Sequence, residues 1–201
     1  VHAGPGPVAA ATRAGMVLAI LTALVASGAA PAADSRGLID FAGRNVKWGA
    51  PDYGSGAEVT YAFLQRAQTF AGARNCARML PIQSLTKRAL ISRAVLREIV
   101  RRAAAVWSAA APIRFREVDD AEQADIAIGA QDGARGVAFT NVSRDDRGGP
   151  VSPLTKATIC LDPSERWSAG FDGDPRTYDL PRVLVHELGH AIGLDHQGRD
   201  T

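Results

Sequence analysis

One stretch of the chain concentrates chemistry: His186-Glu187-Leu188-Gly189-His190-Ala191-Ile192-Gly193-Leu194-Asp195-His196. On an α-helix, residues four apart lie one turn above each other, so His186 and His190 present their imidazoles to a common point. Gly193 can adopt the left-handed conformation that ends a helix, and the sharp turn it allows brings His196 back to the same point. Three imidazoles leave the fourth position of a tetrahedral zinc open for water, as a catalytic zinc requires; a structural zinc would be closed by four protein ligands. Such a metal lowers the pKa of its water toward about 7 and polarises a substrate carbonyl. Glu187 is too near His186 in sequence to be a comfortable third ligand and fits the general base that accepts the water proton. Asp195 reads as a solvent-facing turn residue or an extra ligand.

The elements that must hold these groups are legible upstream. Asp179 can cap the last helix, Pro181 is tolerated in its first turn, and Val183, Leu184, Leu188, Ala191 and Ile192 back it with apolar surface. A second amphipathic helix is expected over Ile91–Ala109, with Val95, Ile99, Ala103, Val106 and Trp107 on its core face. Arg93, Arg97 and Arg101 line a solvated face of the same helix. Alternation marks a first strand over Glu58–Leu64 and two more over Ile113–Val118 and Ala124–Ala130, the last two joined by a hairpin or crossover. Shorter strands are expected at Gly136–Val142 and Lys156–Leu161, while Gln65–Thr86 shows no clear period. The order of elements gives an α+β domain, a twisted mixed sheet with two main helices, and no internal repeat.

At 201 residues and 46% hydrophobic content the chain can build one ordinary core. A net charge of +2 with dispersed arginines implies no nucleic-acid partner. Arg13, the apolar run Met16–Ala26 and the small residues before Ala30-Pro31-Ala32 form a secretory signal pattern, and the run is short for a membrane span. The expected organisation is therefore a leader at 1–33, an irregular segment at 34–56 and a catalytic domain at 57–201, exported to the extracellular space or a periplasm. No stable membrane span is expected in the mature protein. Two cysteines, Cys76 and Cys160, in an exported chain permit one disulfide; two buried free thiols are the alternative.

The pattern HExxHxxGxxH is the metzincin signature, matched here at every fixed position. Within that clan the chain resembles the matrixins. The likeness extends to Trp107-Ser108, Pro112-Ile113, Phe115, Val118, Ala124-Asp125-Ile126 and Leu161-Asp162-Pro163-Ser164-Glu165-Arg166-Trp167, so that it covers roughly Glu58 to His196. The resemblance implies a metzincin-like fold and a zinc-dependent endopeptidase, whose polypeptide substrate binds in extended form by pairing with an edge strand near Val137 and Ala138. A serralysin-like peptidase, or a zinc-binding module without turnover, is the alternative. The family's second, structural zinc is expected to be absent. Cys160 falls where one of its His ligands would sit, so a Cys76–Cys160 disulfide reads as a substitute clamp. Asp132, Asp162 and Glu165 match positions that bind calcium in the family. A Met-containing turn should follow the third histidine, yet the methionines are Met16 and Met79. The C-terminal subdomain is therefore expected to be truncated, with the reading frame continuing past Thr201.

Overall fold

The computed structural model describes residues 37–133, 135–146, 149, 151–170 and 174–196. The leader expected at 1–33 lies outside the described residues. In chain order the elements are β1 (Asn45–Lys47), β2 (Ala57–Phe63), β3 (Gln68–Thr69), β4 (Arg78–Leu80), α1 (Gln83–Ala89), α2 (Arg93–Ala110), β5 (Ile113–Glu117), β6 (Ile126–Gln131), β7 (Ala138–Arg144), β8 (Val151–Leu161), β9 (Trp167–Ser168), β10 (Tyr178–Asp179) and α3 (Leu180–Ala191). The main sheet runs β1-β8-β6-β2-β5, with β7 antiparallel on β8 and the β3–β4 hairpin on β6. This is the α+β mixed sheet expected from the sequence.

Strands β5, β2, β6 and β8 are parallel. No hairpin joins β5 to β6: they flank β2, with Tyr61 opposite both Glu117 and Ile126. β6 starts where β5 stops, so the chain only has to cross over β2. Asp125 holds that crossing, because its Oδ2 accepts from Thr60 N and Thr60 Oγ1 at 2.7 Å each.

The face of the sheet under α2 and α3 carries the large core, into which Val59, Tyr61 and Phe63 project beside Leu96, Ile99, Val100, Leu184 and Leu188. A smaller cluster of Ala62, Leu64, Met79, Ala127 and Cys160 covers the other face. β6 is buried along its whole length because both faces are covered. Gln65–Thr86, without a period in sequence, forms the β3–β4 hairpin and starts α1.

Helix α2 begins where Ser92 caps it, Oγ accepting from Val95 N at 3.2 Å. Its buried stripe is Leu96, Ile99, Val100, Ala103 and Ala104, whereas Val95 is 42% and Val106 51% exposed. The apolar face expected from sequence was thus rotated by one position. Adjacent valines and leucines gave two overlapping stripes, and contact with β5 and α3 selects one. The arginine face is solvated, with Arg97 paired to Glu117 and Arg101 to Glu98. Ser92→Ala leaves one orphan N–H in the first turn and is expected to lower stability by about 1 kcal/mol, measured by urea unfolding.

Within the segment 34–56, the described residues 37–56 include a strand and buried side chains. β1 pairs in parallel with Val151–Pro153, and Val46 and Trp48 are buried.

Candidate active site

Helix α3 packs on α2 at Gly189, where there is no room for a side chain. A Cβ on Gly189 would lie 2.8 Å from Trp107 Cζ2, and Trp107 Nε1 donates to Val185 O at 2.8 Å. That contact fixes the rotation of α3 and hence the direction of its histidines. At the start of α3, Asp179 occupies the N-cap position but makes no side-chain capping bond. Pro181, in the first turn, removes one of the N–H groups a cap would satisfy.

The three imidazoles converge as the spacing required. Nε2 of His186 lies 3.0 Å from Nε2 of His190 and 3.3 Å from Nε2 of His196, and the His190–His196 distance is 3.2 Å. Zn–N bonds of 2.0–2.1 Å in a tetrahedron set N···N edges of about 3.3 Å, so this donor set fits zinc. His190 Nδ1 sits 2.7 Å from Leu194 O, an arrangement in which Nδ1–H donates and the Nε2 lone pair is free for metal. Burial pushes the His186 imidazolium below its ordinary range, with His190 and His196 adding to the effect and Glu187 opposing it. Neutral imidazole is the ligating form. Asp195 turns its carboxylate to the His196 backbone N–H at 2.7 Å and does not join the triad.

The turn that returns His196 depends on Gly193 at φ +101°, where a Cβ would lie 2.5 Å from Val46 O. A strap from the segment before β1 holds it. Leu38 bridges Leu194, Ile39 N donates to Gly193 O at 2.7 Å and Asp195 N donates to Gly37 O at 2.8 Å. Trp48 Nε1 adds a buried bond to Ala191 O at 2.8 Å, satisfying a carbonyl at the open end of α3.

Glu187 is 6% exposed and lies beside the triad in a cleft of about 400 Å³ that Thr140, Val142 and Asn75 also line. Thr140 Oγ1 donates to Glu187 Oε2 at 2.6 Å. A second cleft of about 430 Å³ lies on the other side of His186 and Glu187, lined by Val137, Ala138, Tyr178, Asp179 and Val183.

Among the described residues, β7 pairs only with β8 and so presents one open edge. Val137 O accepts from Asp162 N at 2.9 Å, which turns Val137 into the sheet. By antiparallel alternation the outward backbone groups belong to Ala138, Thr140 and Val142. Of the two residues expected from sequence to pair with substrate, Ala138 has its backbone groups on the open edge, while Val137 directs its carbonyl toward Asp162 and lines the second cleft.

Cys76 and Cys160 form a disulfide with a Cα–Cα distance of 6.5 Å. It ties the loop after β3 to the face of β8, and Asn141 reinforces the tie by accepting from Arg74 N and Asn75 N at 3.1 Å each. Among the described residues, Asp132, Asp162 and Glu165 do not gather into a ligand group, and the His triad is the one set that does. Asp132 is paired with Arg78, and Asp162, 2% exposed, spends Oδ1 on Ser164 N and Oγ.

Sequence reasoning missed Thr140, Trp48 and the 37–39 strap. Only Thr140 left a signal, as the polar member of the 138, 140, 142 face of β7.

A matrixin family model matches residues 80–201. The chain is similar to the metalloendoproteinase 1-MMP of Arabidopsis thaliana, 32% identical over 117 residues that make up 53% of this chain and 30% of that protein. It is 34% identical over 112 residues to the interstitial collagenase of Sus scrofa, covering 53% of this chain and 22% of the relative. With the macrophage metalloelastase of Oryctolagus cuniculus the identity is 37% over 105 residues, or 48% and 20% of the two chains. The chain thus spans less than a third of the length of these relatives. The match to the family model takes in more than half of the chain and contains both the zinc-fitting triad and the helix that carries two of its members, and this chain belongs to the matrixin family.

Proposed function

We propose that this chain provides the catalytic centre of an exported zinc endopeptidase, with His186, His190 and His196 as the metal ligands and Glu187 as the general base. The observation that carries this reading is the convergence of three ring nitrogens at tetrahedral-edge distances beside a buried carboxylate. Zinc held there would supply Lewis acidity and lower the pKa of a water toward about 7. Glu187 takes a proton from that water as its oxygen bonds to the peptide carbonyl carbon, and delivers it to the leaving nitrogen as the C–N bond breaks. An extended substrate segment pairs with the outward groups of Ala138, Thr140 and Val142. Export is supported by the leader pattern at 1–33 and by the disulfide, a bond that persists in oxidising compartments.

The test is metal analysis of the purified protein together with hydrolysis of fluorescently labelled, denatured casein. One zinc per chain is expected, with hydrolysis abolished by a chelator and restored by added zinc. Hydrolysis that survives complete removal of the metal would sink the proposal.

A further inference from the structure

Thr140 stands where two requirements of catalysis meet. Its backbone lies on the open edge of β7, and its side chain reaches across to α3. The hydroxyl has one proton and faces two acceptors, Glu187 Oε2 at 2.6 Å and Glu187 O at 3.1 Å. The shorter, charge-assisted bond to the carboxylate takes it. Among the described residues, Thr140 is the one donor to that carboxylate. Among the described residues, Glu187 Oε1 has no hydrogen-bond partner, and Glu187 lines the cleft beside the triad.

We infer that Thr140 is a positioning residue for Glu187: its hydroxyl pins Oε2 and leaves Oε1 aimed into the cleft as the proton acceptor. This rests on the peptidase reading above. Threonine suits the task, because branching at Cβ stiffens χ1 and favours the strand. A free glutamate side chain samples several rotamers, and proton transfer needs one of them. The placement also couples binding to chemistry. A substrate segment that pairs with the backbone of residue 140 registers itself on the same residue that holds the base.

The experiment compares Thr140→Val and Thr140→Ser with the wild-type, zinc-loaded protein. Valine keeps the shape and the strand preference but removes the donor. With labelled casein, kcat of Thr140→Val is expected to fall about 10- to 100-fold, the cost typical of losing a group that orients a catalytic residue. KM should hold, since backbone pairing is untouched, and zinc content should stay at one per chain. Thr140→Ser restores the donor and is expected to recover most of kcat. Crystal structures of the wild type and Thr140→Val give a readout free of activity: the carboxylate of Glu187 should occupy one orientation in the first and several in the second. An unchanged kcat in Thr140→Val, or an identical single orientation of Glu187 in both crystals, would overturn the inference. Loss of zinc from Thr140→Val would also overturn it, by assigning Thr140 to metal retention. A wild type that leaves casein intact refutes the peptidase reading instead, and the two crystals then decide the role of Thr140 alone.

Discussion

Glu187→Gln is expected to lower the turnover of labelled casein by about 10²- to 10⁴-fold, the usual worth of a general base, with zinc content unchanged. Glutamine fills the same volume, so the buried site beside Leu184 and Leu188 is not opened, and its carbonyl oxygen can still accept from Thr140 Oγ1. What it cannot do is accept a proton. Glu187 also stands outside the ligand set, because the three converging atoms are ring nitrogens. Metal binding and fold should therefore survive while the chemistry fails. Initial rates, metal analysis and thermal unfolding of the two proteins check each part. Undiminished turnover would remove Glu187 from the role, and lost zinc would make it a ligand instead.

The parts of this site that could be read from sequence are those fixed by local geometry. Four residues make one helical turn wherever the helix lies, so His186 and His190 face one point by spacing alone. Gly193 was legible for a similar reason: a sharp return to His196 needs a backbone conformation that side chains disfavour, and the structure has it at φ +101°.

Residues that act over long separations left little trace. Trp48 bonds to Ala191 across 143 positions, and the strap from Gly37 to Ile39 meets Gly193 and Asp195 through backbone groups that carry no residue signature. The same limit governs β7. A short strand was expected there, but which of its residues turn outward depends on register against β8, and that register put Val137 on the inside. Asp179 shows the converse failure. Its position as a cap is right, and its side chain still makes no capping bond.

The disulfide joins the two kinds of information, because the pairing was permitted by sequence while its leverage is visible only in the fold. Cys76 and Cys160 are 84 residues apart, and closing a loop of that length removes about 4–5 kcal/mol of chain entropy from the unfolded state. Breaking it is expected to cost about 2–5 kcal/mol, the range seen when native disulfides are lost. The Asn141 bonds to Arg74 and Asn75 are too local to replace it, since they hold the loop only once β7 is formed. Cys160 is fully buried with Met79 and Ala127, so Cys76→Ala/Cys160→Ala is the appropriate variant; serine would strand a hydroxyl there at about 1–3 kcal/mol and mimic the effect. Urea unfolding should show a lower midpoint for this variant and for the wild type held reduced by a thiol. The gap between those two measures the packing of the sulfur atoms, and their common shift from the oxidised protein measures the cross-link. Midpoints that coincide with the oxidised wild type would show that the bond contributes nothing to stability.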